Sequence, residues 1–111
     1  MTFEVTYLQD ALDFLKTLEE KEKKKVLFNI ERAKLDLDDT LLSKLNDNIW
    51  EFRTFYNKKK IRLLCFWDTD KKALIVATNG FIKKTKKTPK LEIQKAENLR
   101  EQYFKENCGQ K

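Results

Sequence analysis

Three apolar runs between Asn48 and Ile82 constrain this chain more than any other feature. Ile49–Tyr56, Ile61–Trp67 and Ala73–Ile82 are rich in Ile, Val, Phe, Trp and Thr, the residues that suit a pleated surface, and only the polar stretches Asn57–Lys60 and Asp68–Lys72 separate them. Connections that short do not carry a parallel crossover, so the runs predict an antiparallel meander. Alternation places Trp50 and Phe52 on one face of the first run, the covered one, and Glu51 and Arg53 on the other.

The flanking segments supply the cover. Phe3, Val5 and Tyr7 alternate with Glu4 and Thr6 as in a half-buried strand. Ala11, Leu12, Phe14, Leu15 and Leu18 then share one helical face. After a charged corner, Glu19–Lys25, a second helical stripe follows as Val26, Leu27, Ile30, Ala33 and Leu37, and the two helices read as a hairpin whose stripes cover the sheet. Asp36, Asp38 and Asp39 lack the Gly and distal Glu of a calcium loop, so no metal site is expected there. Asp39 or Thr40 is expected to cap a short helical turn through Leu41–Leu45. Thr88-Pro89 reads as N-cap and first residue of a last helix that turns Ile93, Ala96, Leu99 and Tyr103 inward. The expected architecture is α+β, an N-terminal strand and helical hairpin packed on a small antiparallel sheet with a C-terminal helix, as one domain over residues 1–111.

Charge is segregated along this frame. Residues 1–50 hold 8 Lys/Arg against 11 Asp/Glu (net −3), and residues 51–111 hold 16 against 7 (net +9). Two runs free of acids concentrate the excess: Arg53, Lys58, Lys59, Lys60 and Arg62, then Lys83, Lys84, Lys86, Lys87 and Lys90. Phe55, Tyr56, Phe66, Trp67 and Phe81 lie among or beside them. Cations for phosphates next to flat faces for bases suit a nucleic-acid surface. A solvated lysine surface is the plainer reading of the same pattern.

The chain has no His, which removes Ser-His and Cys-His nucleophile pairs and the commonest metal ligand. Its two cysteines, Cys65 in an apolar run and Cys108 in the tail, form neither a disulfide framework nor a zinc set, which points to a reducing compartment. Neither a signal peptide nor a run of ~18 to 20 apolar residues is present, so a cytoplasmic protein without membrane association or cofactor is expected.

Ile49-Trp50-Glu51-Phe52-Arg53, Arg62 and above all the segment from Gly80-Phe81-Ile82-Lys83-Lys84-Thr85-Lys86-Lys87-Thr88-Pro89 to Glu92-Ile93 and Ala96 resemble HigB-like toxins of the RelE/ParE superfamily, in their phage-derived branch. The resemblance covers about residues 45–100 in wording and the whole chain in element order. It implies the toxin of a type II toxin–antitoxin pair, a metal-independent endoribonuclease that cuts mRNA in the ribosomal A site against the 16S rRNA of the 30S subunit. A cognate helix-turn-helix antitoxin would silence it. Arg53, Arg62, Lys83, Lys84 and Lys87 fall at catalytic positions under this reading, and Lys58, Lys59, Lys60, Phe81, Lys86 and Lys90 at RNA-binding ones. Glu51 stands where RelE carries a lysine, and Tyr103 falls inside the last helix rather than at RelE's C-terminal tyrosine. Arginine keeps its charge and forks onto phosphate, whereas crowding among ammonium groups brings a lysine toward a working pKa. Glu51 is either the base or an ion-pair partner of Arg53. A ParE-like gyrase inhibitor and a non-catalytic RNA-binding module remain as alternatives.

Overall fold

A computed structural model describes residues 3–35 and 39–108. The elements run β1 (Glu4–Tyr7), α1 (Gln9–Thr17), α2 (Glu20–Leu35), β2 (Leu42–Lys44), β3 (Trp50–Tyr56), β4 (Lys59–Trp67), β5 (Leu74–Lys83) and α3 (Lys90–Cys108). The meander is present as β3, β4 and β5, all antiparallel. It is widened at both sides into a five-stranded sheet of order β1-β5-β4-β3-β2, with β1 parallel to β5.

The helical turn expected over Leu41–Leu45 is instead strand β2, antiparallel to β3. Its Leu42 is buried opposite Phe52, and the Arg53 N–H donates to the Leu41 carbonyl at 2.8 Å. Ladder bonds and a buried leucine outweigh an isolated helical turn, which is too short to stand alone. Asp36, Leu37 and Asp38 lie outside the described residues. The charged stretch Glu19–Lys25 is likewise no corner: α2 starts at Glu20 and runs through it, as good helix formers do. Glu22 secures that start by accepting the Glu19 N–H at 3.1 Å.

Between β3 and β4 the turn proper is only Asn57-Lys58, at φ 54° and 62°, the pair of left-handed residues that a two-residue hairpin demands. Parity along β4 follows from it. Ile61, Leu63, Cys65 and Trp67 face α1 and α2, together with Phe52 of β3 and Ile75 and Ala77 of β5. Leu64, Phe66, Val76 and Phe81 face α3 through Ala96, Tyr103 and Phe104. Burial of Cys65 among apolar side chains pushes its thiol well above the ordinary range, which makes it inert.

α3 is held at its far end. Tyr103 meets Phe66 edge-on and Phe104 meets it tilted, at 5.3 and 5.5 Å between ring centres, and the Tyr103 hydroxyl donates to Asp68 Oδ2 at 2.5 Å. Burial, then that bond, pushes the phenol up to about 12. At its near end the Pro89 carbonyl accepts from Glu92 and Ile93, so Pro89 occupies the capping place expected for Thr88. The Thr88 hydroxyl is used elsewhere, on Glu51.

Gly80 marks a close approach, because a Cβ there would collide with the ring of Phe14 from α1. Gly80→Ala is expected to lower stability by about 1–3 kcal/mol through overpacking. Phe66→Ala, with its ring fully buried, is expected to lose about 3–5 kcal/mol. Denaturant titrations of both variants check the two values.

Candidate nucleic-acid interface and active site

β3, β4 and β5 carry the site on the face that α3 covers only in part. Register sets the arrangement: Arg53 lies opposite Arg62, which lies opposite Phe81, and one step along Phe55 lies opposite Lys60, opposite Lys83. Residues directly opposite share a face, so Arg53, Lys60, Arg62 and Lys83 converge. Like charges placed this way repel, and Glu51 answers them. Buried at 4% exposure, its carboxylate lies 3.9 Å from Arg53 Nε and 3.7 Å from Arg62 Nε, and it accepts the Thr88 hydroxyl at 3.2 Å. Of the two roles open to Glu51, this geometry is that of the ion-pair partner, shared between both arginines.

Arg62 is not an exposed strand arginine. Only 5% of it is accessible, its Nη1 donates to the Ile61 carbonyl at 3.3 Å, and its Nε has no hydrogen-bond acceptor. Burial pulls the guanidinium below its usual range, with Arg53 adding to the effect and Glu51 opposing it. Lys83 is drawn down as well, first by partial burial and then by the charges of Arg62, Arg53 and Lys60 against the pull of Glu51. The crowding expected within the lysine segment is not the cause: burial comes first, and the cations that add to it are Arg62, Arg53 and Lys60 on the neighbouring strands.

Lys58 is exposed at the hairpin tip, and Lys84, Lys86, Lys87 and Lys90 are exposed along the segment that leads to α3, where the Thr85 hydroxyl bonds the Lys87 carbonyl at 2.7 Å. Two expected RNA-binding residues lie elsewhere. Lys59 projects from the opposite face and pairs with buried Glu22 of α2 at 2.8 Å, because the two-residue turn gives it the parity opposite to Lys60. Phe81 is 9% exposed within the core beneath α3, which leaves no face free to stack on a base. The exposed aromatic of the site is Phe55, 66% accessible beside Lys60 and Arg53. Sequence reasoning noted Phe55 among the basic runs but did not single it out; its parity with Arg53 was the available signal.

A cleft of about 310 Å³ opens at the β3 edge where β2 stops, lined by Asn29, Thr40, Leu41, Arg53, Thr54, Phe55 and Arg62. Asn29 comes from α2, in a position that apolar periodicity does not flag. Among the described residues no cluster of His, Cys, Asp or Glu could hold a metal ion, and no helix is long and apolar enough to cross a membrane.

A mixed sheet with two helices on one face, a third on part of the other and cations on the remainder is a RelE-like fold. It is similar to a chain of the toxin–antitoxin complex RelBE2 from Mycobacterium tuberculosis, with TM-score 0.59 and 14% identity over 75% of this chain and 100% of that one. It is also similar to a mutant of the Escherichia coli toxin RelE in the free state, with TM-score 0.56 and 9% identity over 72% and 82%. The sequence pattern of the family described as phage derived protein Gp49-like (DUF891) matches residues 13–101, and the chain belongs to that family. No curated protein matches the sequence.

The Glu22–Lys59 pair fixes the hairpin to α2 and gives a pH signature. The hydrogen bond from Lys59, then that from the Glu19 N–H, holds the Glu22 carboxyl below its usual 4.5. A carboxylate depressed on folding stabilises above its unfolded pKa and loses that contribution as pH falls through the folded one. Thermal midpoints are therefore expected to decline from about pH 4.5 downward, and Glu22→Gln to flatten part of that decline. Melting curves across an acid series provide the check.

Proposed function

We propose that this chain is the toxin of a type II toxin–antitoxin pair, of the phage-derived HigB-like kind, and acts as a single domain that cuts mRNA in the ribosomal A site without a metal. The observation that carries the reading is the convergence of Arg53, Arg62 and Lys83 on the sheet face that α3 covers only in part, with Lys83 shifted toward the acidity a proton donor needs. The RelE-like fold and the toxin–antitoxin complex among its structural relatives support it.

In this mechanism the ribose 2′-oxygen attacks the adjacent phosphorus and gives up its proton to water. The P–O5′ bond breaks, leaving a 2′,3′-cyclic phosphate and a 5′-hydroxyl. Arg53 and Arg62, held abreast by Glu51, face the charge that grows on the phosphorane oxygens. Lys83 gives its proton to the leaving 5′-oxygen, and its lowered pKa makes the ammonium a stronger acid than a free lysine. Lys58, Lys60, Lys84, Lys86, Lys87 and Lys90 bind the phosphates of mRNA and of 16S rRNA on the 30S subunit. The neutralising partner is a cognate helix-turn-helix antitoxin, and the site of action is the cytoplasm.

Inducing the chain alone is expected to arrest growth and to yield mRNA cut at discrete coding positions, read by primer extension. Uncut transcripts together with altered plasmid supercoiling would overturn the nuclease in favour of a gyrase inhibitor.

With purified components, Lys83→Ala is expected to lose about 10²- to 10⁴-fold in cleavage rate. Arg62→Lys keeps a cation near Glu51 but loses the fork, and about 10²- to 10³-fold is expected. The wild-type rate is expected to fall as pH rises through the lowered Lys83 pKa, and Lys83→Arg to move that fall to more alkaline pH. A rate independent of these changes would remove Lys83 from the chemistry.

A further inference from the structure

Glu51 lies beside two guanidiniums and closes on neither. Its Oε1 is 3.7 Å from Arg62 Nε and its Oε2 is 3.9 Å from Arg53 Nε, both beyond hydrogen-bonding reach. Arg62 Nε is buried and has no acceptor, although that carboxylate oxygen is so near. A charge-assisted bond between such groups is short and strong, so a gap of this kind needs something to hold it open. What Oε1 has instead is the Thr88 hydroxyl at 3.2 Å, the one hydrogen bond that the described residues give the Glu51 side chain.

Thr88 reaches Glu51 from the far end of the lysine segment, and no other element there claims its hydroxyl. α3 starts on the Pro89 carbonyl, which accepts the N–H groups of Glu92 and Ile93 at 3.1 and 3.2 Å. Thr85 ties the segment to itself through the Lys87 carbonyl at 2.7 Å. Half-buried Thr88 is left to give its hydroxyl to Glu51.

We propose that Thr88 is a positioning residue for RNA cleavage: its hydroxyl fixes the Glu51 carboxylate between Arg53 and Arg62, so that neither guanidinium is captured and both stay abreast on the cationic face. The proposal rests on the RNA-cleavage reading above and deepens it by naming what aligns the arginines. Without the hydroxyl, Oε1 stays buried and the nearest donor left to it is Arg62 Nε. The carboxylate then turns onto Arg62 and gives up its hold on Arg53. Arg53 is the more exposed of the two, with 38% of its side chain accessible against 6%, so it is the one set loose. A guanidinium that must find its place at each encounter adds reorganisation at the step where charge grows on the phosphorane. The exposed lysines of the segment act on phosphate as point charges and do not need that alignment. The effect of Thr88 therefore falls on kcat and not on RNA affinity.

The test compares Thr88→Val, which keeps the shape and loses the donor, with Thr88→Ser, which keeps the donor. Cleavage of a defined mRNA by purified components gives kcat and KM, and nitrogen–proton NMR of the free protein follows the arginine Nε–Hε groups. Both variants are expected to fold as the wild type does, checked by melting curves. Thr88→Val is expected to lower kcat by about 10- to 10²-fold with KM unchanged, and Thr88→Ser to restore the wild-type kcat. The Arg62 Nε–Hε signal is expected to move downfield in Thr88→Val, as the proton enters a hydrogen bond with Glu51, and to stay in place in Thr88→Ser. A side chain that only stabilised the loop would leave that signal where it is. A wild-type kcat in Thr88→Val, a loss that Thr88→Ser shares, or an Arg62 signal that does not shift overturns the positioning role and leaves the cleavage reading standing. A wild type that cuts no RNA overturns the cleavage reading, and the role of Thr88 in it falls as well.

Discussion

Everything on the functional face depends on one buried carboxylate. Antiparallel register puts Arg53 and Arg62 side by side, where two guanidiniums repel, and Glu51 is the charge that lets them stay. Neither separation is short enough for a hydrogen bond, and the net gain is small once Glu51 and Arg62 have been desolvated, with Arg53 left partly in solvent. What Glu51 contributes is placement. Through the Thr88 hydroxyl it also holds the end of the lysine segment where α3 begins, so the two clusters that lie apart in sequence share one anchor. A lysine at position 51 would add a cation to the face but would leave Arg62 buried without a counter-charge.

The second constraint is the length and attachment of α3. The helix begins beyond the lysine segment, at Lys90, and is held by Tyr103 on Asp68, at the opposite end of β4 from Lys60. It therefore covers Leu64, Phe66 and Val76 and leaves the Lys60 and Lys83 end bare. On the other face α1 packs over β5 and α2 over β3, closing that side along its length. The segregation of charge in the sequence has this physical origin: the basic second half supplies the three central strands and their open face, while the acidic first half supplies the two edge strands and much of the cover.

How much of this was legible depends on whether the signal was local. The meander, the helical stripes and the cationic segments are periodic or compositional, and among the described residues they fall where the patterns place them, apart from Leu12, which is exposed, and Lys59, which turns to the other face. β2 is only three residues long and has no alternation of its own, so nothing but its pairing with β3 identifies it. Lys59 and Lys60 are chemically identical neighbours, and they part company because the turn holds two residues and not four. Phe55 and Phe81 share a sheet face, and which of them meets solvent is decided by where α3 ends, a tertiary fact that neither residue carries in its own surroundings. Asn29 is a single polar position inside an apolar stripe, silent until the cleft is seen.

Folded chains satisfy their buried polar atoms, and the exceptions here are unevenly placed. Asn79 Oδ1 lies beside α3, where the Asn79 amide already bridges to the Glu92 carbonyl and carboxylate. Asn29 Oδ1 and Arg62 Nε, by contrast, belong to two residues that line the same cleft, one an acceptor and one a donor. A leucine at position 29 would remove the open acceptor but would also strip buried Thr54 of the bond from the Asn29 amide, and a hydrophobic side chain at position 62 would spare Glu51 part of its burden. A buried donor or acceptor without a hydrogen bond costs about 1–3 kcal/mol, so both are retained against stability. The cationic face and the cleft form one surface, joined through Arg53 and Arg62.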